Sequence, residues 1–117
     1  MHRLYLIHWN GDEAEALAEP LRSAGMEVTL ESQDGGRAAK AINSNRPDAV
    51  IISLARLPSH GRAVAEHLLS RSATRDLPIL FVGGSPDAIA KAQQLAPAAR
   101  FGQLAELPGT LLALLAT

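Results

Sequence analysis

Ser53, His8, His60 and Asp12 supply, by type, the parts of a nucleophile, a general base and an orienting carboxylate. A serine hydroxyl attacks only when a neighbouring base takes its proton, and no Gly-x-Ser-x-Gly elbow surrounds Ser53 to hold it exposed. The competing reading is a small buried hydroxyl bonded to nearby backbone. Gly83-Gly84-Ser85 offers backbone N–H groups ahead of a helix start, which is anion-binding chemistry. A glycine turn followed by a serine cap uses the same residues, and the segment is not a Walker sequence. The four histidines have no zinc-like spacing. The absence of cysteine excludes disulfides, thiolate ligands and a cysteine nucleophile. No metal or cofactor is expected.

The elements that position these residues follow from apolar runs and turn signals. Leu4 to Ile7 reads as a buried strand that delivers His8 and Trp9 to its end, with Asn10-Gly11 as the turn and Asp12 as a helix cap. His8 and Trp9 then either pack into the rim or line a pocket and anchor a partner. Ala14, Leu17, Ala18 and Leu21 recur at helical spacing, Pro20 predicts a bend, and Ala24-Gly25 ends this helix. A second strand is expected over Met26 to Leu30 and a helix over Arg37 to Asn45. Ala49 to Ile52 is apolar without alternation, as a central parallel strand covered on both faces requires. A helix over Gly61 to Ser70, a strand over Pro78 to Val82 and a helix capped by Ser85-Pro86 follow. A weak strand at Arg100 to Gly102 and a last helix from Pro108 complete five strands alternating with five helices. That alternation favours an open parallel sheet covered on both faces.

Length and charge limit what such a fold does. At 117 residues the chain holds one core, so residues 1–117 form a single domain. A net charge of −1 gives no global field for nucleic acid or an anionic membrane. No apolar window approaches a signal-peptide core or a membrane span, and a cytoplasmic location is the simplest expectation.

On spacing, the chain resembles the receiver domain of two-component response regulators, over essentially its whole length. Pro47-Asp48-Ala49-Val50-Ile51-Ile52-Ser53-Leu54 is similar to that family's run into its phosphoacceptor, with Ser53 at the acceptor position. Counting back from Ala24-Gly25 places the family's acidic pair on His8 and Trp9. Gly61 keeps the family spacing, whereas Pro58 lies one residue late. Gly83 stands at the switch hydroxyl, and Leu104-Ala105 replaces Lys-Pro. The resemblance implies a flavodoxin-like three-layer α/β sandwich with a five-stranded parallel sheet and five helices.

It also implies a receiver without its phosphorylation chemistry. Magnesium prefers oxygen ligands, and imidazole and indole in place of two carboxylates remove most of its site. A phosphorylation-independent module that acts by protein contacts in signalling or transcriptional control, and not as an enzyme, is therefore expected. Its partner or homodimer face would use the fourth and fifth helices. Leu111, Leu112, Leu114 and Leu115 cover more of the last helix than one packing stripe needs. The rival is a small-ligand site or minor enzyme on the strand-end rim, using His8, Trp9, Ser53 and His60. A cobalamin version lacks its Asp-x-His-x-x-Gly signature.

Overall fold

The computed structural model of the chain describes residues 2–102 and Gly109. Five strands alternate with four helices: β1 (Arg3–Ile7), α1 (Gly11–Ser23), β2 (Glu27–Glu31), α2 (Gly35–Ser44), β3 (Ala49–Ser53), α3 (Pro58–Leu69), β4 (Ile79–Val82), α4 (Pro86–Leu95) and β5 (Arg100–Gly102). The strands form one parallel sheet in the order β2-β1-β3-β4-β5. Gly109 is helical, and the rest of the expected fifth helix, with Leu104, Leu111, Leu112, Leu114 and Leu115, lies outside the described residues. No described helix is long and apolar enough to cross a membrane.

Alternation along the strands sorts the core into two layers. Leu4 and Leu6 of β1 join Ala18 and Leu21 of α1 on one face, with Val28, Ile51 and Leu80. Tyr5 and Ile7 face the other way, onto a cluster that takes in Ala38, Ile42, Val64, Leu68 and Ala88 of α2, α3 and α4. Every residue of β3 is buried, as its unbroken apolar run predicts for a strand covered on both faces.

Several boundaries differ from the expectation by one to three residues, and the larger shifts have local reasons. Asn10, not Asp12, caps α1, its side chain accepting from the Glu13 N–H at 3.0 Å. Asp34 does the same for Arg37, so α2 starts at Gly35. Proline at the first helical position starts α3 at Pro58, three residues ahead of Gly61. In the second strand, Met26 is buried but precedes the ladder, which extends instead to Glu31. Pro20 lies within α1, which remains helical to Ser23.

Candidate functional site

The chain leaves β1, β3 and β4 side by side, so the turns after these strands converge on one rim. The strand order reverses between β1 and β3, the kind of place where open parallel sheets receive ligands. His8 continues the side of β1 that carries Leu4 and Leu6. It is 2% exposed, its N–H donates to the Glu31 carbonyl at 3.1 Å, and its Nε2 stands 3.8 Å from Glu13 Oε1 of α1. Burial is the main influence on the imidazole and pushes its pKa below 6.5. Arg56 acts in the same direction, and the Glu13 carboxylate only partly opposes them.

Trp9 falls on the opposite side. Its ring packs against the α2–α3 core and meets His60 at 5.5 Å between centroids, tilted by 54°. Gly35, at the start of α2, stands close under the indole: a Cβ there would lie 3.5 Å from Trp9 Cη2 and 3.0 Å from Val64. Trp9 thus packs into the rim, while its Nε1 and the His8 Nδ1 are buried without hydrogen-bond partners among the described residues.

Ser53 ends β3 at 1% exposure, and its hydroxyl accepts from the Ala55 N–H at 3.1 Å. No described histidine is hydrogen-bonded to it. His8 faces Glu13 and His60 faces Trp9, so the described side chains do not assemble the nucleophile, base and Asp12 set. The small hydroxyl bonded to backbone is the arrangement observed.

Beyond Ser53 the backbone turns sharply. Leu54 continues the ladder by donating to the Val82 carbonyl at 2.9 Å, and Leu57 donates back to Ala55 at 2.7 Å. Between them Arg56 has φ +65, the strained geometry of the rarer γ-turn, which few non-glycine residues adopt. The turn carries the Arg56 guanidinium to Glu13, with Nε and Nη2 donating to Oε2 at 2.9 and 2.5 Å. Arg56 holds the Glu13 carboxyl below its ordinary range, and Glu13 raises Arg56 in return. Glu13 and Arg56 therefore form a charged bridge from α1 to the turn after β3, with the His8 imidazole of the β1 end beside it.

Gly83 and Gly84 close the rim after β4 at φ +68 and +92. A Cβ on Gly84 would lie 2.6 Å from that of Leu54, so glycine is required where the two turns touch. Ser85 caps α4 by accepting from the Ala88 N–H at 3.1 Å, which is the turn-and-cap reading of this segment. Among the described residues no group of three or more His, Asp or Glu side chains is placed to hold a metal ion.

His8, Trp9, Ser53 and Gly83 thus meet at one rim, whereas Leu104 is outside the described residues. The Glu13–Arg56 bridge is the feature that sequence reasoning missed. Glu13 reads as a solvent-side residue of its helix, and a left-handed arginine leaves no compositional trace.

No protein-family profile and no curated protein matches the chain. Solved structures do. A chain assigned as a response regulator from Chloroflexus aurantiacus J-10-fl superposes with a TM-score of 0.85 at 26% identity, covering 99% of this chain and 98% of that one. The receiver domain of the Francisella response regulator 1452 gives 0.82 at 15% identity, with 99% and 98% covered. The receiver domain of the sensor histidine kinase PA1611 from Pseudomonas aeruginosa PAO1, which holds magnesium in its active-site cleft, gives 0.77 at 22%, again with 99% and 98% covered. The chain has the receiver fold.

Proposed function

We propose that this chain is a receiver-fold signalling module that works through protein contacts and is not switched by phosphorylation. One observation carries the reading: the position that receivers use as phosphoacceptor is a serine, buried to 1% exposure and already bonded to the Ala55 N–H. An aspartate accepts a phosphoryl group directly as an acyl phosphate, whereas a serine needs a base to take its proton and cations to clamp the incoming phosphate.

The rest of the rim supports the same conclusion. The acidic-pair positions carry His8, which burial favours as neutral, and Trp9, neither of which offers magnesium an oxygen. The nearby carboxylate, Glu13, is committed to Arg56. Without a phosphate-dependent rearrangement, signal passes by association, in the cytoplasm, through the α4 side and the segment beyond it.

Incubation with acetyl phosphate and magnesium, followed by intact mass, tests this directly. No phosphoryl adduct is expected, and beryllofluoride with magnesium leaves the emission of Trp9, the single tryptophan, unchanged. A stable adduct, or a saturable change in Trp9 emission, overturns the proposal.

A further inference from the structure

The net charge of −1 conceals a separation of charge. Residues 12–34 contain seven carboxylates and one cation, Arg22, whereas residues 35–75 contain seven cations and two carboxylates, Asp48 and Glu66. The first stretch builds α1 and β2 and the second builds α2 and α3. Because α1 packs on one face of the sheet and α2 and α3 on the other, Asp12, Glu13, Glu15 and Glu19 of α1 are set apart from Arg37, Lys40 and Arg62 of α2 and α3, although Glu31 and Asp34 stay on the α2 side bonded to Arg37. With almost no net charge, two copies do not repel as wholes.

The α2–α3 side has a shape as well as a sign. Two adjoining cavities of ≈ 250 and ≈ 210 Å³ run between α2 and α3 and share Gly36, Ala39 and His67. Small residues, Gly36, Ala39 and Ala63, keep the groove open, while Lys40 and Arg71 stand beside it, with His60 and His67 along the α3 side. No carboxylate lines either cavity. Lys40 and Arg71 are exposed and make no ion pair among the described residues.

The outer face of α1 is complementary to it. Asp12, Glu15 and Glu19 are exposed at helical spacing, with the small Ala16 beside them, so the ridge is both acidic and low. At 13 residues α1 is about 20 Å long, enough to lie along the roughly 15 Å of the ten-residue α2. Glu15 is held by Arg22 at 2.9 Å, an exposed pair of the kind that gives way readily to a new partner.

We propose that the α2–α3 groove is a docking site for a second copy of this chain, which seats the Asp12–Glu19 face of its α1 there. Since ridge and groove lie on opposite faces, the contact is head-to-tail and open-ended and does not close as a twofold dimer. One helix in one groove buries less than the ~1,600 Å² of a standard interface. The association is therefore weak, concentration-dependent and sensitive to salt.

Sedimentation velocity on the full chain tests it. In low salt the weight-average mass rises with concentration, and it returns to monomer at about 1 M salt, where the screening length is about 3 Å. Lys40→Glu with Arg71→Glu, or Glu15→Lys with Glu19→Lys, each weakens self-association about tenfold or more. Mixing these two variants restores it, because the intact ridge of the first meets the intact groove of the second and the reversed groove meets the reversed ridge. A control variant, Lys91→Glu with Arg100→Glu, makes the same change in net charge as the groove swap but on α4 and β5, keeps both ridge and groove, and still self-associates. Four results would each overturn the proposal: a monomer at every concentration in low salt, self-association that neither swap weakens, no recovery on mixing, or a control weakened as much as the groove swap.

Discussion

At His8 two influences oppose one another, and burial wins: the imidazole lies 3.8 Å from a carboxylate yet is held below its ordinary pKa of 6.5. A group that prefers to be neutral in the fold binds fewer protons there than in the unfolded chain. Its contribution to stability is complete above about pH 6.5 and declines as the pH falls through 6.5 toward the lower folded value. Thermal melts across this window should therefore show a loss that His8→Phe removes, and the His8 ring resonances should titrate below 6.5. A titration above 6.5 would mean that Glu13, not burial, governs the residue. The sequence marks His8 as the end of a buried strand, but it does not reveal that Glu13 is occupied by Arg56.

Gly61 shows how an element is held in place by one absent atom. A Cβ there would lie 2.9 Å from Ile52 Cγ2 and 3.0 Å from the Ser53 carbonyl oxygen, so glycine is what lets α3 lie against the end of β3. Backbone cannot yield as a flexible side chain can. Gly61→Ala is accordingly expected to cost about 1–3 kcal/mol in urea unfolding, through displacement of α3. An unchanged midpoint would show that the helix shifts freely. Elements of this kind were legible in the sequence where an apolar run met a punctuating residue, as at Ala49 to Ile52 and Ser85-Pro86. The β2–α2 junction was less so. There Glu31, 6% exposed, accepts from Arg37 Nε at 2.6 Å and from the Gln33 and Asp34 N–H groups, which lower its pKa to about 2. A charge buried at a strand end reads from sequence as a polar turn residue.

The described residues form a single sheet with a core on each face, and the strands belong to both. In β3, Ile51 faces the α1 layer, while Val50 and Ile52 on either side of it face α2, α3 and α4. Neither layer keeps its packing if the sheet is lost, so Trp9 emission and far-ultraviolet circular dichroism should report one coincident transition in urea. Two separated midpoints would mean that the layers unfold independently. What the sequence determined by itself is local and periodic: the alternation of elements, the buried central strand, the glycine turns and the Ser85 cap, and the residue types at His8, Trp9 and Ser53. What only the tertiary structure decided is pairing across elements: Glu13 with Arg56, Glu31 with Arg37, His60 with Trp9, and an acidic face set opposite a basic groove. Periodicity follows from the backbone geometry of each segment, whereas a pair forms only when the sheet brings distant segments within a few ångströms.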